Sequence, residues 1–377
     1  MQNWANDVLC RMVDKFTWSA GLAAPQGLIP YKGGKNDTWI GSPSEDNSWW
    51  TGGFWPALMW QMYAVTQNDL FREDARRVQG LLYKELQRHH GMHHDVGFMF
   101  LISFGADFLQ HGNEADRAVV LHAADVLAGR FNPAGFIRAW NGEGREGWAI
   151  VDCLMNLTLL HWATAQTGDP RYAAIAGIHA DTTIKHFVRQ DGSCNHIVVF
   201  DANTGEPLAF PGGQGYCSGS SWSRGQAWAL YGFALLYHNT REQKYLDAAK
   251  RVAHYFIANI RSDGLTNCDF RQPEGEERID NIAAACASCG LLELADLVPE
   301  LEAEMYRSAA IRMLKALDEL SSDWSHECCG VLQKCTAAYH QDNAGRHENI
   351  VYGDYFFAEA IARLCGKAPG IWYAQSK

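Results

Sequence analysis

Three stretches of this chain carry side chains able to move a proton or hold an anion. The first is Arg88-His89-His90-Gly91-Met92-His93-His94-Asp95-Val96-Gly97-Phe98, four histidines and a carboxylate close together. Such a run can bind a transition metal, but consecutive residues rarely point at one centre, and no outside Cys/His pair supplies the rest of a coordination sphere. It reads better as a helix start that presents His94 and Asp95; an Asp95 that merely caps the helix N–H groups is the rival reading. The second is Asp152, flanked by Ile150, Val151, Cys153 and Leu154 where an apolar helix begins. A carboxylate in those surroundings is partly desolvated, which raises its pKa and lets it hold a proton near neutral pH, as an acid catalyst must. Capping is again the alternative, although apolar neighbours make an uncompensated charge costly. The third runs from Gly213 to Trp228, where glycines lead into a helix start with Arg224 between Trp222 and Trp228. Arg224 offers planar donors for a carboxylate or sugar hydroxyls, and the indoles offer stacking faces; a structural ion pair with tryptophan core packing is the plainer reading.

The elements that must position these groups are helices. Proline and alternating β-branched stretches are scarce, and apolar residues recur at helical spacing, as in Trp4, Val8, Leu9, Met12, Val13 and Phe16. A second kind of segment is apolar almost all round, such as Gly52 to Trp60, and a helix of that kind is a buried one. Amphipathic helices are expected from near Asn3, Leu70, Ala115, Pro170, Gln243 and Leu301, and apolar ones from near Gly52, Asp95, Val151, Ser223, Asp280 and Gly353. Three amphipathic starts share a polar turn followed by an aromatic: Asn68 to Phe71, Gly168 to Tyr172 and Thr240 to Tyr245. Strict alternation of helical pairs predicts an all-α fold, an (α/α)6 barrel of six inner and six outer helices formed by residues 1–377 as one domain. In such a ring the inner-helix N-termini gather at one mouth, where free N–H groups favour anions. Trp49-Trp50, His93-His94-Asp95, Asp152, Trp222 to Arg224, Asp280 and Asp354 would meet there, rimmed by the loops 27–46, 132–148 and 190–221.

Composition narrows the partner. A net charge of -11 without a Lys/Arg-rich run argues against nucleic acid or an anionic membrane surface. The N-terminus carries Asp7, Arg11, Asp14 and Lys15 where a signal peptide would be apolar, so a cytoplasmic location is expected. Eleven cysteines, an odd number, fit thiols better than a disulfide framework, and Cys286-Ala-Ser-Cys289 lies in an apolar helical run as core. The 14 Trp, 14 Tyr and 17 Phe permit carbohydrate platforms without requiring them. No cofactor motif is present.

Taken in order, the segments 49 to 55 (Trp-Trp-Thr-Gly-Gly-Phe-Trp), 93 to 98 (His-His-Asp-Val-Gly-Phe), 136 to 140 (Phe-Ile-Arg-Ala-Trp), 151 to 157 (Val-Asp-Cys-Leu-Met-Asn-Leu), 221 to 228 (Ser-Trp-Ser-Arg-Gly-Gln-Ala-Trp) and 352 to 357 (Tyr-Gly-Asp-Tyr-Phe-Phe) closely resemble the unsaturated glucuronyl hydrolases of glycoside hydrolase family 88. The resemblance spans nearly the whole chain and implies an (α/α)6 barrel acting on small acidic oligosaccharides. It implies that Asp152 is the general acid and base and that Asp95 assists at the substrate. Pocket residues of the family fall on Trp50, His94, Trp140, His196, Gln214, Trp222, Arg224 and Trp228; the segment around His196 matches more loosely. No metal or cofactor is implied. Residues 338–349 lack the Ser and Lys pattern of members that accept sulfated substrates, so the resemblance carries no preference for heavily sulfated disaccharides. The nearest alternative activity is unsaturated rhamnogalacturonyl hydrolysis of pectin fragments. A sugar 2-epimerase on the same ring and a non-catalytic sugar-binding protein stand further off.

Overall fold

A computed structural model describes residues 2–34, 38–44, 46–89, 91–341 and 345–374. The helices alternate as outer and inner. The outer set is α1 (Gln2–Gln26), α3 (Asp69–Arg88), α5 (Glu114–Ala128), α7 (Pro170–His186), α9 (Gln243–Ala258) and α11 (Glu300–Ser321). The inner set is α2 (Phe54–Thr66), α4 (Phe104–His111), α6 (Cys153–Thr167), α8 (Ser223–Thr240), α10 (Asn281–Leu297) and α12 (Val351–Leu364). Each inner helix packs on the next, except that residues 97–101 ahead of α4 make the contact to α6, and α12 returns to α2, so the ring closes. The sequence pattern explains the sorting. Every residue of α2 from Phe54 to Tyr63 is buried, whereas α9 buries only one face, from Tyr245 to Phe256. Burying a large apolar side chain contributes about 1.5–3 kcal/mol, so a helix apolar on all sides is stable only inside the ring.

The two ends of the ring are built differently. At the floor, α2, α4, α6, α8 and α10 each turn into their outer partner through two residues. Four of these turns share one design. A residue in the left-handed region ends the inner helix (Gln67, Gly112, Gly168 or Arg241), and Asn68, Asn113, Asp169 or Glu242 begins the outer one. Asn68, Asn113 and Asp169 cap it by accepting the N–H two residues on. At the mouth the connections run from 89–96, the shortest, to 187–222, the longest.

Two features depart from the sequence reading. The inner helix expected from Asp95 is broken: a π-helical turn, Gly97–Leu101, precedes α4. The mouth loops also form small antiparallel sheets, of which Trp148–Ile150 against Ile197–Phe200 matters most, because it carries His196 to the start of α6. Val151 donates its N–H to the His196 carbonyl at 3.0 Å. Cys286 and Cys289 are buried inside α10, as expected of core residues.

Candidate active site

Asp152 stands at the N-cap position of α6 but makes no side-chain capping bond, so its carboxylate is not spent on the helix. It is 6% exposed, and Oδ1 has no hydrogen-bond partner among the described residues. Burial pushes its pKa up to about 7, with the Arg224 charge opposing. His196 Nε2 lies 3.8 Å from Oδ1. The other ring nitrogen, Nδ1, sits between the Gln214 N–H at 3.0 Å and the Gly212 carbonyl at 3.2 Å, so the 212–214 turn holds the ring against Asp152. Gly213 makes this approach possible. Its φ is +59°, and a Cβ there would lie 2.2 Å from His196 Nδ1.

Asp95 does not cap a helix either. It is 5% exposed; Oδ1 lies 3.2 Å from His94 Nε2 and 3.4 Å from Asn156 Nδ2, and Oδ2 lies 3.4 Å from His93 Nδ1. His94 Nδ1 sits 2.9 Å from the Ala139 carbonyl, which can only accept, so Nδ1 carries the proton of the neutral ring and Nε2 turns a lone pair to Asp95. Burial and the Asp152 charge hold Asp95 well above the carboxylate range, and burial holds His94 well below its own, so both are pushed toward their neutral forms. Contrary to expectation for consecutive residues, the ligand atoms of His93, His94 and Asp95 all lie within 4.8 Å of one another, which makes this the one cluster among the described residues compact enough for a cation.

The remaining expected residues gather around these two. Trp140 meets the His94 ring edge-on at 5.9 Å, and Arg130 fixes its segment by donating to the carbonyls of Arg138 and Ala139. Trp222 lies between His196, its ring tilted at 4.3 Å, and the Arg224 guanidinium, at 4.5 Å. Half-buried Trp50 and fully buried Trp228 both pack on Phe98, with ring centroids 5.7 and 5.2 Å away. Gln214 donates Nε2 to the Ala337 carbonyl at 2.8 Å. Arg224 is wholly buried: it pairs with Asp280 and donates to the carbonyls of Thr336 and Ala337, leaving Nε without a partner among the described residues. Two carboxylates expected at the mouth are thus committed elsewhere. Asp280 neutralises Arg224, and Asp354 accepts the N–H groups of Val331 and Leu332.

Several buried polar atoms without a hydrogen-bond partner among the described residues lie at this end, His94 Nε2 among them. Besides Asp152 Oδ1, no hydrogen-bond partner among the described residues meets the Nε1 atoms of Trp49, Trp222 and Trp228, or Nε2 of His196. Buried polar atoms are nearly always paired, so such a group marks where a polar ligand completes the structure. The sequence reading missed Asn156, Arg130 and Asp269; the last accepts from the N–H groups of Tyr216 and Ser221 and so shapes the loop behind Gln214. For Asn156 a signal existed, as a polar residue one turn after Asp152 in an otherwise apolar helix.

The Glycosyl Hydrolase Family 88 profile matches residues 32–263, more than half of the chain. The chain belongs to this family. It is 36% identical over 342 residues to the unsaturated glucuronyl hydrolase of Bacillus sp. (strain GL1), covering 88% of this chain and 90% of that protein. To the unsaturated chondroitin disaccharide hydrolase of Streptococcus pneumoniae it is 33% identical over 330 residues, 85% of this chain and 83% of the relative. The crystal structure of the Bacillus sp. GL1 enzyme, described as responsible for glycosaminoglycan degradation, superposes with a TM-score of 0.90 at 33% identity and covers all of both chains. The protein is therefore a glycoside hydrolase with an (α/α)-barrel fold, which decides against the epimerase and the non-catalytic binding protein. Among the described residues no helix is long and apolar enough to cross a membrane.

Proposed function

We propose that the enzyme removes a 4,5-unsaturated glucuronic acid from the non-reducing end of lyase-generated, glycosaminoglycan-type oligosaccharides by hydrating the C4=C5 double bond. The observation that carries this reading is the single unpaired, proton-holding carboxyl group of Asp152 at the mouth. An unsaturated uronic acid is an enol ether, so protonation at C4 places oxocarbenium-like character at C5. Asp152 donates that proton, and the His196 ring stands 3.8 Å from the carboxylate left behind. The same carboxylate takes a proton from the water that attacks C5; the hemiketal then opens and releases the remaining sugar. Asp95, neutral and held by His94 and Asn156, orients the substrate as a hydrogen-bonding group. Trp50 and Trp140 present partly open rings to the sugar. Trp222, Trp228, Gln214 and Arg224 complete the pocket, and Arg224, its charge paired with Asp280, keeps Nε as a donor without a partner among the described residues. The reading takes 1–377 as one catalytic domain in the cytoplasm, where an odd count of eleven cysteines is at home.

The names of the curated relatives support glucuronyl and chondroitin disaccharide substrates over pectin fragments. The test is the loss of ultraviolet absorbance from the conjugated double bond of unsaturated chondroitin, hyaluronan and rhamnogalacturonan disaccharides. Loss with either glycosaminoglycan disaccharide is expected. Loss with the pectin fragment alone would transfer the enzyme to the rhamnogalacturonyl activity, and no loss from folded protein would refute the reaction.

A further inference from the structure

The two carboxylates stand on different segments, Asp95 ahead of the π turn and Asp152 at the start of α6, and one side chain touches the carboxylate of the first and the backbone carbonyl of the second. Asn156 is completely buried. Its Oδ1 accepts the Phe98 N–H at 2.8 Å, while Nδ2 lies 3.4 Å from Asp95 Oδ1 and 3.3 Å from the Asp152 carbonyl. Because a backbone N–H can only donate, the oxygen of the amide must face Phe98 and its NH2 must face the two aspartates, which removes the usual ambiguity of an amide. Gly97 adjoins this amide so closely that a Cβ there would lie 2.6 Å from Asn156 Oδ1 and 3.0 Å from its Cα. An α-helical start with an ordinary residue at 97 would push the two segments apart. π turns are rare and recur at functional sites, and this one brings the Phe98 N–H and Asp95 to a single amide.

We propose that Asn156 is a positioning residue for catalysis, one that fixes Asp95 against the start of α6 and thereby sets the placement of Asp95 relative to Asp152. This rests on the assignment of those two aspartates to the reaction. Among the described residues the titratable and charged groups around Asp95 are His93, His94, Asp152, Cys153 and Arg130, and none of these spans the two segments as the Asn156 amide does.

The experiment is a double-mutant cycle on kcat, with Asn156→Ala made in the wild type and in the Asp95→Asn background. If Asn156 acts through Asp95, the substitution lowers kcat at least tenfold in the wild type, with KM changed less than threefold, and less than twofold in the Asp95→Asn background. Equal losses in both backgrounds, or wild-type kcat, would overturn the proposal. Asn156→Asp retains the volume and the Phe98 contact but turns an acceptor toward both aspartates; it serves if the alanine variant does not fold, with the same expected pattern. A second readout needs no substrate. In carboxyl-13C-labelled protein, removal of the amide donor moves the Asp95 titration to higher pH, and an unmoved titration counts against the contact whether or not the activity assignment holds.

Discussion

Both ends of the barrel bury charge, and they treat it in opposite ways. At the floor, Arg363 reaches Glu293 at 2.8 Å, Glu359 at 3.2 Å and the Tyr231 hydroxyl at 2.8 Å. His238 and Tyr373 close on Glu293, and Trp372 donates to Glu359. Burial alone would raise Glu293, but Arg363 with His238 and Tyr373 more than offsets it and brings it down to about 2. At the mouth, Asp152 is equally enclosed, its cation is already paired with Asp280, and it rises to about 7. Burial by itself therefore does not mark a catalytic group; burial without matched counter-charge does.

The comparison breaks most sharply at Asp152. Asp152→Asn is expected to lower kcat by about 10^3-fold or more with an unchanged circular-dichroism spectrum, since general acid–base groups contribute about 10^2- to 10^4-fold; turnover near wild type would remove Asp152 from the mechanism. Its counterpart at the floor is Arg363→Leu, which leaves Glu293 and Glu359 buried without their cation. Urea denaturation should show a loss of about 3–5 kcal/mol, and the folded fraction should keep its kcat. Unchanged stability would mean that the floor network is not structural.

The pH dependences should differ in sign. Asp152 is raised in the folded state, so its stabilising contribution is full below about 4 and is lost as pH climbs through about 7; kcat falls over the same upper limb as the acid deprotonates. Glu293 is depressed, so its contribution is full above about 4.5 and is lost as pH falls toward 2. Stability curves of Asp152→Asn and Glu293→Gln should each flatten only their own limb, and a variant that flattened both would undo the contrast. A smaller effect belongs to Arg224→Lys, which retains a charge for Asp280 but loses donors to the Thr336 and Ala337 carbonyls; KM should rise as that segment loosens, at about 1.5–3 kcal/mol for a charged hydrogen bond. Trp140→Phe keeps an aromatic face against His94 and should raise KM by less than about tenfold, equivalent to 1.4 kcal/mol.

The sorting of helices was legible because it rests on local pattern. An apolar stripe and a fully apolar run look different in any 15-residue window, and the expected starts at Pro170, Gln243 and Ser223 coincide with the observed ones. The break after Asp95 was not legible. Met99 and Phe100 continue the apolar pattern, while Asn156, which accepts the Phe98 N–H inside the π turn, lies far along the chain. The expected pocket residues do converge. Which of them are committed to one another was hidden, since that depends on partners brought by other loops: Asp280 for Arg224, Gly212 to Gln214 for His196, and Ala139 for His94. The metal reading of the histidine run was set aside on spacing, and the turn at 93–96 nevertheless folds three of those ligand atoms together. His90 and residues 342–344 of the expected substrate loop lie outside the described residues.

The position of residues 366–374 has a practical side. Trp372 is sealed among Phe98, Tyr231, Tyr355 and Phe356, and Ala374 is tied to Asn239 near the end of α8, so this segment finishes on the face away from the mouth. A linker attached beyond it would tether the protein to a bead or an electrode with its opening turned to the solution, and the floor would serve as a mounting plate.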